Sequence, residues 1–320
     1  VVQIGQDWEQ NNIYYSDFRD VEALPGGGFI VTSFGSDHVM RVDERLYLEQ
    51  AYGYSSSDPT AFYFPSDIVV GEELVTVHDR RNYRVVQFNK QGEIVREIRR
   101  QASEGNNSLW LKYCFDLEVA LSGEIFVLCS NNGFTSVRIG LDGEITELDG
   151  LRGTGMSLAE DGRIFVTNQW LGTLSVYNSD GEKLSDLAQN LGRPTGLVLL
   201  GDRLFVLDVQ QSAVLIVGTD GQRLGRFDAL PSEYGQLSQP EKIAYDSLRE
   251  LFYVTDAGND RVVIYNSSGE FQAVFGQRGF ETGEFRAPDG ISVDTSGVVF
   301  IVDSDNSRIQ ILPSLSPEDQ

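Results

Sequence analysis

Short runs of β-branched and aromatic residues recur along the chain at nearly regular spacing. Their central residues lie 39 to 52 positions apart, counted from Val31 to Ile301. Apolar runs of this length, bounded by turn residues, predict buried β-strands. Seven such runs occur, at residues 29–32, 74–77, 126–128, 165–167, 205–207, 253–255 and 300–302.

Each run lies in the same local pattern. An apolar strand and a tight turn come before it, as at residues 117–123, and a polar turn with an alternating strand comes after it, as at residues 84–88. A glycine turn such as Asp142-Gly143 then leads into a fourth strand. Four antiparallel strands at a period of about 40 to 50 residues form one blade of a β-propeller. The pattern therefore predicts an all-β, seven-bladed β-propeller of four-stranded antiparallel blades.

The two ends of the chain predict how the array closes. The seventh repeat stops after its third strand at residues 308–312, and residues 1–6 match the fourth strand of repeat six at residues 273–277. We expect the N-terminal strand to complete the last blade, which removes an unpaired sheet edge. Residues 1–312 then form a single propeller domain, and residues 313–320 form a flexible tail.

The best-formed repeats resemble a known family. FRAPDGI at residues 285–291, followed by FIVDSDNSRIQ at residues 300–310, is similar to an NHL repeat, and residues 237–240 with 253–261 follow the same pattern. The resemblance specifies fold far more than function. Because NHL propellers often have six blades, six blades is the alternative count.

Three aspartates are each followed five positions later by an arginine, in the pairs Asp79 and Arg84, Asp256 and Arg261, and Asp303 and Arg308. We interpret these pairs as architectural, because they recur in three blades. The aspartate is expected to accept backbone N–H groups of its own turn, and the arginine to pair with the aspartate.

The composition is strongly acidic, with 48 Asp and Glu against 25 Lys and Arg and a net charge of −23. This charge argues against nucleic-acid binding and against docking on an anionic membrane, and it favours neutral or cationic partners. The sequence contains no apolar run long enough to span a bilayer, so no membrane insertion is expected. We also expect a monomer.

The two cysteines, Cys114 and Cys129, lie at the ends of one predicted hairpin. A disulfide and a pair of buried thiols are both compatible with this position. A bridge, the acidity and the missing initiator methionine favour a secreted or periplasmic protein from which a leader or other domains have been removed. A cytosolic domain cut from a longer chain is the alternative.

Acidic residues recur at one position of the innermost strands. Asp20, Asp67 and Asp116 align with Gly290, and Lys242 is the one cation at this position. Carboxylates that converge on the mouth of a central channel must repel one another, raise a pKa, or hold a hard cation such as Ca²⁺. A Ca²⁺ site and solvated acids are both possible outcomes.

The loops between blades carry aromatic residues that the repeat does not require. Exposed Trp and Tyr side chains are favoured binding anchors, because they offer large rigid surfaces with a polar edge. Packing over neighbouring blades is the alternative role. The candidate ligand-binding residues are Trp8, Tyr54, Tyr63, Trp110 and Tyr234 in these loops, together with Trp170 in a turn between a second and a third strand.

Two functions remain. The first is a non-enzymatic recognition or scaffold propeller that binds a protein, peptide or glycan through its aromatic, acidic loop face. The second, implied by similarity to gluconolactonase, paraoxonase and strictosidine-synthase-like propellers, is a metal-dependent lactonase, esterase or lyase. In that case Asp20, Asp67 and Asp116, with Asn131 or Asn168, would hold a divalent ion. No nucleophile elbow, phosphate loop or HExxH-like pair is present in the sequence, so no catalytic residue is assigned.

Overall fold

Almost all of the regular secondary structure in the described part of the chain is β-strand. The computed structural model describes residues 2–4, 9–10, 13–14, 16–52, 61–71, 73–89, 91–99, 111, 114–129, 135–227 and 229–313. Seven four-stranded antiparallel sheets form the blades of a seven-bladed β-propeller, which confirms the predicted fold class and blade number. The alternative of six blades is wrong, because each of the seven repeats has a four-stranded sheet of its own. Within the described ranges, no helix is long and apolar enough to cross a bilayer.

The first blades follow three short strands. These are β1 (Val2–Ile4), β2 (Glu9–Gln10) and β3 (Ile13–Tyr14), of which β2 and β3 pair with each other. Blade one contains β4 (Phe18–Ala23), β5 (Phe29–Ser33), β6 (His38–Val42) and β7 (Leu48–Tyr52). Blade two contains β8 (Pro65–Val70), β9 (Leu74–Asp79), β10 (Arg84–Asn89) and β11 (Ile94–Arg99). Blade three contains β12 (Cys114–Val119), β13 (Ile125–Cys129), β14 (Ser136–Ile139) and β15 (Ile145–Leu148).

The remaining blades repeat this order of strands. Blade four contains β16 (Gly155–Leu158), β17 (Ile164–Asn168), β18 (Thr173–Tyr177) and β19 (Lys183–Ala188). Blade five contains β20 (Pro194–Leu200), β21 (Arg203–Asp208), β22 (Ala213–Gly218) and β23 (Arg223–Arg226). Blade six contains β24 (Pro240–Asp246), β25 (Leu251–Asp256), β26 (Arg261–Asn266) and β27 (Phe271–Phe275). Blade seven contains β28 (Pro288–Val293), β29 (Val299–Asp303) and β30 (Arg308–Leu312), and short 3₁₀ turns cover Ser232–Tyr234, Ala257–Asn259 and Ser304–Asn306.

Contacts between Cα atoms group the chain into two compact units. The first unit comprises Val1–Asn82, Phe88–Ile94 and Phe227–Gln320, and the second comprises Tyr83–Gln87 and Val95–Arg226. Blades one, six and seven belong to the first unit with β8 and β9, and blades three, four and five belong to the second.

Apolar cores lie between neighbouring sheets. In the first unit, Phe18, Phe29 and Met40 of blade one pack with Phe300 and Ile309 of blade seven, and all five are buried. The second strands β5 and β29 are buried along their whole length. A strand that is covered on both faces needs apolar residues at successive positions, which is why these strands are continuous apolar runs in the sequence.

The N-terminal strand completes blade seven, as the sequence predicts. β1 pairs antiparallel with β30 in the register Val2 to Ile311, Gln3 to Gln310 and Ile4 to Ile309, and the sheet order is β1-β30-β29-β28. Strand β30 therefore has a backbone partner on both sides.

The Asp and Arg pairs of blades six and seven are architectural. Arg308 Nε lies 2.6 Å from Asp303 Oδ2, and both side chains are buried. Asp303 Oδ1 accepts the backbone N–H of Arg286 at 2.7 Å. Arg261 and Asp256 form the same ion pair at 2.7 Å. In both blades the pair fixes the turn after the second strand and the loop before the first strand.

Blade two uses its aspartate in a related way. Asp79 Oδ1 accepts the backbone N–H of Tyr63 at 2.8 Å, and Asp79 Oδ2 accepts Asn82 Nδ2 at 2.8 Å. The carboxylate therefore holds the loop that carries Tyr63 against the turn that follows β9.

A disulfide joins Cys114 to Cys129, two residues that face each other in the ladder between β12 and β13. Both cysteines are buried. The question that the sequence left open is thus answered in favour of the bridge.

Deleting residues 1–6 should destabilise the protein, because β30 loses the backbone partners that β1 supplies. We expect a loss of about 2 kcal/mol and a fall of ~5 °C in the thermal midpoint, measured by circular dichroism. Truncation of residues 314–320 is the control and should leave the midpoint unchanged. Identical melting curves for the two truncations would contradict closure through β1.

Reduction of the disulfide should lower the free energy of unfolding by about 3 kcal/mol, because the bridge closes a loop with a sequence separation of 15. The measurement is urea unfolding with and without dithiothreitol. The double variant Cys114→Ala with Cys129→Ala is the control, since its stability should not respond to the reductant. Equal responses of wild type and variant would show that the bridge does not contribute.

Candidate functional site

The innermost strands are irregular at the position where the acidic residues recur. The ladder between β4 and β5 is interrupted between Phe18 and Val21, and that between β8 and β9 between Pro65 and Ile68. Asp20 and Asp67 directly precede the residues at which regular pairing resumes. A β-bulge re-aims the side chains beside it, so these carboxylates can reach neighbouring strands.

Asp20 connects the inner strands of blades one and two. Its Oδ2 accepts the backbone N–H of Ile68 at 3.0 Å. Its own N–H donates to Thr32 Oγ1 at 3.1 Å, and the Thr32 hydroxyl lies 3.3 Å from the carbonyl oxygen of Ser66. The carboxylate therefore has a structural role that the sequence did not reveal.

Asp67 contacts a serine and a buried histidine. Ser66 Oγ donates to Asp67 Oδ2 at 2.9 Å, and His78 Nδ1 lies 3.1 Å from Ser66 Oγ and 3.5 Å from Asp67 Oδ2. Both contacts involve the same ring nitrogen, whereas a Ser-His-Asp relay places the serine and the carboxylate at opposite nitrogens. The arrangement is a hydrogen-bonded trio and not a nucleophile with its base.

The pKa of Asp67 reflects competing effects. Burial raises this pKa, but the hydrogen bond and charge of His78, the charge of Lys242 and the hydrogen bond from Ser66 together hold it below its ordinary value. Asp67 therefore remains ionised to lower pH than the neighbouring carboxylate of Asp20.

Two further carboxylates in the first unit escaped the sequence analysis. Glu22 Oε2 accepts a hydrogen bond from Ser292 Oγ at 2.9 Å, and Asp289 Oδ2 lies 3.7 Å from Arg19 Nη1. Glu22 lies two positions after Asp20 on β4, so the period of a strand could have identified it. Asp289 directly precedes Gly290, and no repeat pattern marks it.

We call Asp20, Glu22, Asp67 and Asp289 the acidic group, and burial leaves the pKa of all of them except Asp67 above its ordinary value. Desolvation, together with the charge of Asp20, raises the pKa of Glu22 to about 8. Desolvation raises that of Asp20 to about 6, with Lys242 opposing and Asp67 adding to the shift. The pKa of Asp289 is also raised by burial, against the charges of Lys242 and Arg19. Lys242 therefore acts as a shared counter-charge for the group.

The predicted third metal ligand lies in the other unit. Asp116 Oδ2 accepts the backbone N–H of Met156 at 2.6 Å, and its Oδ1 accepts that of Leu117 at 3.0 Å. Asn168 caps its own turn by accepting the N–H groups of Trp170 and Leu171 at 3.1 and 3.0 Å. Asn131 lies outside the described residues.

These contacts do not fit a Ca²⁺ cage. A hard cation needs six to eight convergent oxygen ligands. Asp20 Oδ2 and both oxygens of Asp116 accept backbone N–H groups, and Lys242 supplies a positive charge beside Asp20 and Asp67. Among the residues that the structure describes, no group of three His, Cys, Asp or Glu side chains could hold a metal ion. The Ca²⁺ site stays a prediction without a supporting contact.

The aromatic candidates divide into described and undescribed residues. Trp8, Tyr54 and Trp110 lie outside the described residues. Tyr63, Trp170 and Tyr234 are exposed by 38%, 53% and 41%, respectively.

Tyr63 belongs to a cluster of rings and a guanidinium group, which we call the Tyr63 cluster: Phe34, Tyr63, Phe64 and Arg81. Ring centroids lie 4.9 Å apart for Tyr63 and Phe64 and 4.2 Å apart for Phe34 and Phe64. The Arg81 guanidinium lies 4.3 Å from the Phe64 centroid and 5.5 Å from that of Tyr63. Asp37 Oδ1 accepts the backbone N–H of Phe64 at 2.8 Å, which helps to hold the loop in place.

Trp170 forms a smaller apolar patch in the second unit. It lies in the turn between β17 and β18, and its ring is 5.5 Å from that of Phe115 on β12. Phe115 and the adjacent Leu171 are also exposed, by 37% and 65%. Tyr234, in the loop before blade six, packs 5.7 Å from Phe271, and its carbonyl oxygen accepts a hydrogen bond from Arg261.

The hairpin ends of the inner strands in the second unit border a cavity of about 620 Å³. Its lining includes Leu121, Leu158 and Leu199, with the Asp161 and Arg163 ion pair at 2.7 Å. Apart from the turn residue Leu121, none of these positions is marked by the repeat pattern, and none is a candidate from the sequence.

Comparison with known proteins supports the assignment of the repeats. The NHL repeat profile matches residues 285–312. The E3 ubiquitin-protein ligases TRIM32 of Mus musculus and Homo sapiens are each 24% identical to this chain, over 295 and 296 residues. Each match covers 87% of this chain but 39% and 40% of the relative, so the chain spans about two fifths of their length.

Solved structures share the fold at low sequence identity. Streptogramin B lyase superposes with a TM-score of 0.73 at 15% identity, covering 93% of each chain. A catalytically inactive virginiamycin B lyase from Staphylococcus aureus with quinupristin gives 0.72 at 14%, covering 96% of this chain and 99% of that one. The Cps50 (Swd1) propeller domain of Myceliophteria thermophila gives 0.72 at 12%, covering 93% and 96%. These likenesses extend to the fold alone.

The acidic group should make stability fall as pH rises. Glu22 has a raised pKa in the folded protein, so its contribution is fully present below its ordinary pKa of 4.5 and is lost as pH rises through about 8. Asp20 contributes with the same sign between 3.8 and about 6. We expect a lower urea midpoint at about pH 9 than at about pH 5, and a smaller fall in Glu22→Gln.

Glu44→Gln is the matched control, because Glu44 is exposed on a turn of blade one. It should show the same fall as wild type. If the urea midpoint of Glu22→Gln falls between about pH 5 and about pH 9 as much as that of wild type, the group with the raised pKa is not Glu22.

Proposed function

Because this chain is an NHL-repeat β-propeller, we propose that it is a non-enzymatic recognition domain. It binds a protein or peptide partner through exposed aromatic side chains of its inter-blade loops and of the turns between second and third strands. Loops on a rigid scaffold are where binding residues concentrate in such folds.

The Tyr63 cluster is the observation that carries this proposal. Tyr63 is partly exposed, yet its loop is held by hydrogen bonds from backbone N–H groups to Asp79 and Asp37. An aromatic side chain on a fixed backbone loses little conformational entropy on binding, which improves affinity. Trp170 with Phe115 offers a second surface of the same kind in the other unit.

A protein partner agrees with the relatives better than a small substrate does. TRIM32 is named as a ubiquitin-protein ligase, a class that acts on proteins, and its similarity extends over most of this chain. The lyases are similar in fold only. The contacts of Ser66, Asp67 and His78 do not activate a nucleophile.

We also propose an oxidising location, secreted or periplasmic, for this protein. The support is the disulfide between Cys114 and Cys129, since disulfides persist in such compartments and are rare in the cytosol.

Peptides selected on the wild-type protein from a random phage library should depend on the exposed aromatics. We expect Tyr63→Ala or Trp170→Ala to weaken the selected peptides about tenfold or more, as loss of an anchor does, measured by fluorescence polarisation. Tyr47→Ala is the matched control, because Tyr47 is 70% exposed in the hairpin between β6 and β7. If no selected peptide depends on Tyr63 or Trp170, or if Tyr47→Ala is equally harmful, the proposed binding face is wrong.

A further inference from the structure

Arg81 is an exposed cation that lies on an aromatic surface. Its guanidinium is close to the rings of Phe64 and Tyr63, and its Nη1 is 3.4 Å from the Tyr63 hydroxyl oxygen. Its backbone N–H donates to the Tyr63 carbonyl oxygen at 3.0 Å. Side chain and backbone are thus both fixed relative to the Tyr63 loop.

The carboxylates near Arg81 have other partners. Asp79 accepts the N–H of Tyr63 and the amide of Asn82, and Asp37 accepts the N–H of Phe64. Asp17 forms an ion pair with Arg19 at 2.9 Å. Within the described ranges of the chain, no carboxylate lies within ion-pair distance of Arg81, although acidic residues outnumber basic ones almost two to one.

The chemistry of a stacked guanidinium restricts what it can bind. Contact of its face with an aromatic ring leaves the in-plane N–H groups at its edge. These N–H donors match the two oxygens of a carboxylate in a bidentate pair, which is shorter and stronger than a neutral hydrogen bond. The exposed Tyr63 ring beside it offers an apolar surface for a neighbouring side chain of the same ligand.

We propose that Arg81 binds an Asp or Glu side chain of an acidic segment in the protein partner, while Tyr63 packs against an adjacent apolar residue of that segment. This inference rests on the proposed recognition function and names the chemistry of its ligand. It also runs against the preference for neutral or cationic partners that the net charge of −23 suggests. An acidic ligand segment is compatible with a negative net charge, because net charge acts over long range and is screened by salt, whereas a bidentate pair acts at contact.

The test uses the peptides that bind wild type and depend on Tyr63. They should be enriched in Asp and Glu relative to the unselected library. Replacing the key Glu of a synthetic peptide by Gln should weaken binding to wild type about tenfold, but binding to Arg81→Gln by less than about twofold. Arg81→Lys should restore only part of the affinity, because an ammonium group cannot form the planar bidentate pair.

Arg45→Gln is the matched control, since Arg45 is an exposed arginine in the hairpin between β6 and β7. It should retain the full effect of the Glu to Gln change in the peptide. Equal thermal midpoints of Arg81→Gln and wild type would show that the variant is folded. If Arg81→Gln does not fold, Arg81→Lys is the second variant, and its folding is checked by its resistance to proteolysis.

The outcomes separate this inference from the proposed function. If Tyr63-dependent peptides are neutral or basic, or if the Glu to Gln change is equally harmful on wild type and Arg81→Gln, the acidic ligand is wrong while recognition through Tyr63 stands. If no peptide depends on Tyr63 or Trp170, the proposed function itself fails.

Discussion

Second strands such as β5 and β29 are buried along their whole length, and packing against a neighbouring sheet removes their apolar side chains from water. Phe18 and Phe29 of blade one are buried against Phe300 of blade seven for this reason. Burial of apolar area is the main favourable term in folding. Packing of sheet against sheet also brings the innermost strands side by side. Side chains of one blade can then bond the backbone of the next, as Asp20 does with Ile68 and Asp116 with Met156.

The same packing explains the unusual electrostatics of the inner strands. Asp20, Glu22 and Asp289 come from two blades of the first unit, and burial raises the pKa of all three carboxyl groups. The positive charge of Lys242, which lies in blade six, opposes these increases in pKa. The backbone N–H of Ile68 donates to Asp20, and the Ser292 hydroxyl donates to Glu22, so two of these carboxylates take part in contacts between blades. Acidic residues at a recurring position can therefore be part of the scaffold.

The loops have a different constraint from the sheets. Some loop residues, such as Phe285 and Leu151, join the cores between sheets. The ends of the loops are held by turn aspartates such as Asp79 and Asp303, so the exposed side chains on these loops are also well positioned. Tyr63, Phe64 and Arg81 illustrate the combination, since their rings and guanidinium pack on one another above a hydrogen-bonded backbone. Recognition by contact requires surfaces of this kind.

The sequence by itself determined the seven blades, the turn aspartates of blades six and seven with their arginines, and the completion of blade seven by β1. These features follow from local periodicity, from turn chemistry and from the need to pair a free strand edge. The sequence also placed Asp20 and Asp116 at one repeat position, but not what their oxygens bind. The tertiary structure decided those roles, the pairing of Cys114 with Cys129, and the contacts of Glu22 with Ser292 and of Arg81 with Phe64. The physical reason is that β-bulges and the packing of neighbouring elements set where a side chain reaches, and neither is visible in the spacing of residues along one strand.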